Sequence, residues 1–500
     1  MQKSKPCCNF LTAMMGTIKE RAWEGVLKTG LLVLDIDWIR GFLIRRMERH
    51  LWRTVVEEAQ DSLRTAQELK FCFVRNLLWT TDNHLRKGWL SKEVFHKMVR
   101  VFARGVLIED IEYRERQRLK GKDFPTPCFI VISPTQLCNL RCPGCYASSD
   151  ASSRLSLPYR VVSRVIDEKT KFWHSHFTVI SGGEPFMWKS EGKDILDLAE
   201  EHNTNFFMVY TNGTLIDERV AERLARLGNF TPVISVEGFE ENTDKRRGRG
   251  TFKKVLKAFK ILREFGVPFG ISVVAQRHNW DEVTSWDFLR FFFDQEGAFY
   301  GWLFQYMPIG RGYTLETMVG PEERLEMFRR NVEAIKAGYN YIDFWNQGPM
   351  TDGCLAGGRS GGYFYIDWKG DVMPCVFIPY RLDNILEVYR KGGTLDDVLA
   401  SPLFERIRQW QKDYALGKPA RERGNLIMPC PIRDHHEVMW QTLEELQVQP
   451  TDEAAKEALA DEAYHRGLID YDRKLSQLLD PIWEEEFKGD GILSGELKST

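Results

Sequence analysis

No stretch of the chain reaches the roughly 18 uninterrupted apolar residues that a membrane-spanning helix requires. The nearest, from Gly30 to Ile44, is broken by Asp35, Asp37 and Arg40. The succession of basic, apolar and small residues that marks a secretory signal is missing from the N-terminus, so a cytoplasmic protein is expected. Cysteine is sparse, ten among 500 residues, which excludes a disulfide scaffold. The chain has no Gly-Lys-Ser/Thr phosphate loop, so nothing points to a nucleotidase. An excess of one charge is also lacking: 69 Lys and Arg against 71 Asp and Glu leave a net charge of −2, and no nucleic-acid partner is expected.

The few cysteines are unevenly placed. Cys138, Cys142 and Cys145 form one set, Cys354, Cys375 and Cys430 lie in the C-terminal third, and Cys7, Cys8, Cys72 and Cys128 remain as incidental or buried thiols. In Cys138-Asn-Leu-Arg-Cys142-Pro-Gly-Cys145-Tyr146 three thiols on one loop can close on a single iron–sulfur cluster. A four-iron cluster normally takes four thiolates, so three leave one iron open to a substrate or cofactor. The run Phe129 to Ser133 just before the loop is apolar and β-branched, as in a buried parallel strand. Chemistry placed directly after a strand is the arrangement of a barrel.

At these residues the chain resembles the radical S-adenosylmethionine (radical SAM) enzymes, whose signature is Cys-x3-Cys-x2-Cys followed by an aromatic residue, here Tyr146. Six candidate strands follow one another from Phe129 to about residue 309: Phe129–Ser133, Phe177–Ser181, Asn205–Tyr210, Thr231–Val236, Pro268–Val274 and Gly301–Met307, with helical patterns between them. Alternating strands and helices imply a parallel sheet with helices outside. The expected fold is therefore α/β, a partial (β/α)6 TIM-like barrel, which is also the fold that the resemblance implies.

Several strand ends carry further likenesses. Ser181-Gly182-Gly183-Glu184-Pro185 is similar to the family's Gly-Gly-Glu-Pro, which implies binding of the methionine amino group of S-adenosylmethionine. Tyr210-Thr211-Asn212-Gly213-Thr214 is like Thr-Asn-Gly-Thr, and Ser235 and Glu237 in Ile234-Ser-Val-Glu-Gly238 would face the ribose and methionine. Asp244 to Phe252 resembles the segment of peptide-modifying members that supplies an arginine to the cofactor carboxylate, with Arg247 first and Arg246 second. Gln305, in Phe304-Gln-Tyr-Met-Pro-Ile-Gly310-Arg311, would point into the barrel. These likenesses imply a 5′-deoxyadenosyl radical formed by reductive cleavage of S-adenosylmethionine, which removes hydrogen from an unactivated C–H bond. They also imply an electron donor such as a flavodoxin or ferredoxin.

In the C-terminal third, Cys354 is followed by a hairpin-like run, Tyr363 to Cys375, whose turn at Asp367–Gly370 would bring Cys354 and Cys375 together. This looks like the opening half of the SPASM or twitch extension, an α+β iron–sulfur domain implied to hold an auxiliary [4Fe–4S] cluster on Cys354, Cys375 and Cys430. Two readings of the thiols stand open, a cluster or a zinc site completed by His435 or His436.

The N-terminal 122 residues read as amphipathic helices, with 23 Lys and Arg against 15 Asp and Glu in residues 1–120. Arg40, Arg45, Arg46, Arg49 and Arg53 lie among Trp38, Phe42, Leu43, Ile44 and Trp52. Such a segment either lies on an anionic membrane surface or packs on the barrel with a solvated basic face. The expected organisation is a helical domain (1–122), the barrel (123–310), the iron–sulfur extension (311–445) and an acidic helical tail (446–500). The expected function is radical hydrogen abstraction from a peptide, protein or lipid-like substrate. Strand signals are scarce in the first 122 residues, so no peptide-binding winged helix is expected there. A non-catalytic iron–sulfur electron carrier or sensor is the alternative.

Overall fold

Strand β1 (Phe129–Ile132) is a run of four apolar residues that can be buried on both faces, and a parallel sheet grows from it in both directions. The computed structural model describes residue 31 and residues 33–101, 105, 113 and 125–489; Cys7 and Cys8 lie outside them. Helices α1 (Asp37–Leu51), α2 (Arg64–Lys87) and α3 (Lys92–Met98) precede β1. The barrel strands then follow as β2 (Phe177–Ile180), β3 (Phe206–Thr211), β4 (Phe230–Val236), β5 (Gly270–Ala275) and β6 (Tyr300–Gln305), each pairing in parallel with the one before. These are the six expected strands, displaced by no more than two residues at either end.

Two additions were not expected. A seventh parallel strand, β7 (Tyr341–Asp343), follows helix α4 (Pro321–Ala337) and pairs with β6. On the other edge, β8 (Tyr363–Ile366) pairs in parallel with β1 and begins an antiparallel run through β9 (Asp371–Met373) and β10 (Asp383–Asn384). The C-terminal hairpin thus continues the barrel sheet, in the order β10-β9-β8-β1-β2-β3-β4-β5-β6-β7.

Side chains alternate along these strands, as the pleat requires. Ile130, Ile132, Ile180, Phe207, Val209, Ile234 and Val236 pack outwards against the surrounding helices. Val131, Val179, Met208 and Val233 point inwards. Both faces are apolar, which is why the strands read as continuous apolar runs.

A separate core joins α2 and the helical turn after α1 (Trp52–Glu57) to the rest: Val55, Leu69, Phe71 and Cys72 meet Phe328, Val332 and Ile335 of α4 and Leu475 and Leu479 of a C-terminal helix, α5 (Glu462–Ile482). The C-terminal acidic segment is therefore packed on one face. Beside this core, Arg324 of α4 and Asp434 form an ion pair of 2.6 Å with no exposed surface on either side chain. Arg324 Nε also donates to Asn346 Oδ1, and Asp434 Oδ2 accepts from Cys430 N, so the pair fixes the loop that carries Cys430. Arg324→Met, which strands a buried carboxylate, should lower stability by about 3–5 kcal/mol in denaturant titration. The double variant Arg324→Met/Asp434→Leu should recover most of that loss.

Candidate functional site

The loop from Thr135 to Ser149 is held between the ends of β2 and β6. From β2, Gly183 N donates to Thr135 O at 2.8 Å and Glu184 N to Leu137 O at 2.8 Å. A Cβ on Gly183 would stand 2.2 Å from Leu137 O, and one on Gly182, whose φ is +123°, would stand 2.6 Å from Thr135 O. Glycine is required here because two backbones touch. From the β6 side, a Cβ on Gly310 would lie 2.5 Å from Cys145 O. Arg311 then donates from N to Cys145 O, from Nη1 to Cys142 O and from Nη2 to Ser149 O, at 3.0, 2.9 and 2.6 Å. The motif alone gave no sign of this guanidinium clamp on the cysteine loop.

One cavity of about 670 Å³ collects most of the residues singled out in the sequence. Cys138, Cys142, Cys145, Tyr146, Gly182, Gly183, Thr211, Asn212, Ser235, Arg246, Arg247 and Gln305 all line it. Pro185, Glu184 and Glu237 do not. Pro185 is buried and starts a 3-10 turn. Glu184 is fully buried, with its carboxylate accepting from Thr211 Oγ1 at 2.7 Å, Asn212 N at 2.8 Å and Phe186 N at 3.2 Å. It ties β2 to β3 through the chain's own donors. Burial pushes its pKa up against these hydrogen bonds. Glu237 is likewise buried. Its Oε1 accepts from Arg246 Nη1 at 2.6 Å and from Arg247 Nη2 at 2.5 Å, so it anchors two guanidiniums that themselves reach the cavity wall.

Cys354, Cys375 and Cys430 line the same cavity. Backbone hydrogen bonds from Gly357 N to Pro374 O and from Tyr363 N to Leu355 O hold the Cys354 segment beside the β8–β9 hairpin. The Tyr363 hydroxyl stands 3.0 Å from Cys375 Sγ. The neighbouring histidines face elsewhere. His436 bonds Ile432 O through Nδ1 and His465 through Nε2, and His435 Nε2 bonds Met428 O. With both rings held by these partners, the zinc site completed by His435 or His436 finds no support in this geometry.

Both sets suit a sulfur-ligated cluster. The six thiols are free, and backbone N–H groups two residues on point at the sulfur in three of them: Leu140 N to Cys138, Ala356 N to Cys354 and Phe377 N to Cys375, at 3.4, 3.5 and 3.5 Å. Such donors favour thiolate. Burial pushes the Cys138 and Cys375 thiols up to about 12, so a cationic centre is what would hold these sulfurs deprotonated. Between the two sets the lining is apolar and aromatic, with Phe129, Val131, Phe177, Val179, Phe304 and Phe377 among its residues. Phe129 stacks on Tyr363 at 5.0 Å and meets Phe177 edge-on at 5.5 Å. Lys70, Phe73 and Val74 of α2 also line the cavity, a contribution that amphipathic periodicity alone could not assign.

Comparison with known proteins agrees with this arrangement. A model of the radical SAM superfamily matches residues 132–289, and a model of an iron–sulfur cluster-binding domain, SPASM, matches residues 354–421. The chain is 28% identical over 290 residues to an AdoMet-dependent heme synthase of Methanosarcina barkeri, covering 52% of this chain and 80% of that protein. It is 31% identical over 160 residues to an Fe-coproporphyrin III synthase of the same organism, covering 31% of this chain and 39% of the relative. To a PqqA peptide cyclase of Granulibacter bethesdensis it is 24% identical over 341 residues, covering 63% and 81%. Among solved structures, Streptococcus suis SuiB bound to S-adenosylmethionine superposes with a TM-score of 0.49 at 18% identity, over 65% of this chain and 76% of that one. The chain thus carries a radical SAM domain over residues 132–289, which implies a [4Fe–4S] cluster and S-adenosylmethionine as cofactors, and a SPASM domain over residues 354–421, which implies an auxiliary iron–sulfur cluster.

Proposed function

We propose that this enzyme abstracts hydrogen from an unactivated C–H bond of a lipid-like substrate whose apolar chain occupies the cavity between the two cysteine sets. A reduced cluster bound there would supply the electron for reductive cleavage of S-adenosylmethionine, the chemistry that hydrogen abstraction requires. The chain's own residues do the rest. Cys138, Cys142 and Cys145 would hold that cluster, on a loop whose position Gly183 and Arg311 set. Arg247, which Glu237 holds through Nε and Nη2, would take the cofactor carboxylate through Nη1, beside Arg246, which also donates to Pro143 O and Gly144 O. Asn212, Thr211, Ser235 and Tyr146 would line its polar groups. Cys354, Cys375 and Cys430 would hold the auxiliary cluster. The apolar walls would keep water away from a reactive intermediate.

The observation that carries this reading is the cavity itself. Beside the residues assigned to the clusters and the cofactor, its wall includes Phe129, Val131, Phe177, Val179, Met208 and Phe304, which offer no hydrogen bonds to a peptide backbone. Buried amides without partners cost free energy, which favours an acyl chain. A peptide is the second reading, supported by the likeness to a PqqA peptide cyclase.

Three results test this. Anaerobic turnover with a perdeuterated long-chain fatty acid or its phospholipid should place deuterium in 5′-deoxyadenosine; deuterium arriving only from a labelled peptide would favour the second reading. Gly183→Ala should lose about four irons while the auxiliary cluster's spectrum persists, because the new methyl group displaces the first cysteine loop. In Tyr363→Phe, iron and sulfide should stay constant while the auxiliary midpoint potential falls. A cluster-bound Cys375 thiolate can only accept from the hydroxyl, and hydrogen bonds to cluster sulfur tune the potential. An unchanged potential would remove that contact from the account.

A further inference from the structure

Helix α1 presents large apolar side chains to solvent. Trp38 is 73% exposed, Phe42 51% and Met47 37%, and Ile36, just before the helix, is 43% exposed. The spacing of Trp38, Phe42, Arg45 or Arg46, and Arg49 puts them on one stripe of the helix. The opposite face cannot turn outwards. Arg40 is buried, with Nε on Asp82 at 2.6 Å, Nη2 on Asp37 at 2.7 Å and Nη1 on Leu34 O at 2.8 Å, and Ile44 is buried beside it.

The five arginines of this segment therefore have different jobs. Arg40 bolts α1 to α2, and Arg53 pairs with Glu58 at 3.3 Å. Arg45, Arg46 and Arg49 are exposed and form no ion pair among the described residues. The acids nearby are engaged: Asp37 by Arg40 and Arg86, and Glu48 by Trp79 Nε1 at 3.3 Å. The outward stripe is thus aromatic and positive. That combination is complementary to the headgroup region of an anionic bilayer, where aromatic rings bury at the acyl boundary and arginines meet lipid phosphates.

We infer that α1 docks this enzyme peripherally on an anionic membrane. No helix among the described residues is long and apolar enough to cross one. The helix against which α1 packs, α2, contributes Lys70, Phe73 and Val74 to the cavity, and Val74 is 37% exposed. The cavity therefore extends to α2, the helix on which the docking helix packs, and a chain leaving the bilayer would enter along it. This delivery role rests on the lipid-like reading above; the docking itself does not.

The test is cosedimentation of the full chain with vesicles of phosphatidylcholine mixed with phosphatidylglycerol, against vesicles of phosphatidylcholine alone. Binding to the anionic vesicles should fall with added salt. It should weaken about fivefold for each of Arg45, Arg46 and Arg49 replaced by Gln. Trp38→Ser/Phe42→Ser should abolish it while leaving the melting temperature and substrate-free S-adenosylmethionine cleavage unchanged, since both residues are exposed and neither lines the cavity. Equal binding of the wild-type and Trp38→Ser/Phe42→Ser proteins, or no binding at all, would overturn the docking. So would a concentration-dependent dimer that disappears in the same variant, because a second copy would then cover the stripe. Vesicle binding without deuterium transfer from any lipid would instead sink the lipid-like reading and leave the docking standing.

Discussion

The backbone at Gly183 passes so close to Gln136 and Leu137 that a Cβ there would stand 2.2 Å from one carbonyl oxygen and 2.6 Å from the other. This contact sets the height of the cysteine loop above β1. Arg311 repeats the constraint from β6 by binding three carbonyl oxygens, those of Cys142 and Ser149 through its side chain and that of Cys145 through its backbone N. A loop that must present three thiols to one cluster has little tolerance for sliding, and sites of this kind need their supporting groups held as firmly as the ligands. The charged groups follow the same pattern. Glu184 and Glu237 are buried behind the wall, tying a strand end and two arginines to the places where they meet the cavity.

The barrel interior is the other half of the arrangement. A closed eight-stranded barrel fills its centre with side chains. Here the strands run from β7 to β10 without closing, and a cavity of about 670 Å³ remains. Because the β8–β10 hairpin extends the sheet at β1, the second cysteine set faces that same cavity. Phe129 is the link: it pairs in register with Phe177 on one side and Tyr363 on the other.

The six barrel strands were legible because residues buried on both faces leave a continuous apolar signal. Strand β7 was not, since three residues between a helix and a turn are too few to stand out. The pairing of β8 with β1 joins residues more than two hundred positions apart, which no local pattern encodes. Motif positions were legible, but their contacts were not always: Gly182 and Gly183 stood out only as part of a cofactor-binding motif, and their closest contact is the loop itself. In the same way, five arginines near α1 read as one basic face until Arg40 was found turned inwards on Asp82. Cys430 was legible as a thiol, whereas its position depends on the Arg324–Asp434 pair, whose partners are 110 residues apart.

The central claim is that two iron–sulfur sites face one apolar cavity. Anomalous diffraction from crystals of the anaerobically reconstituted protein, recorded at the iron and zinc absorption edges, tests it most directly. The account predicts two iron clusters, one at Cys138, Cys142 and Cys145 and one at Cys354, Cys375 and Cys430, with continuous space between them. A zinc signal at the second set, or one iron cluster alone, would contradict it.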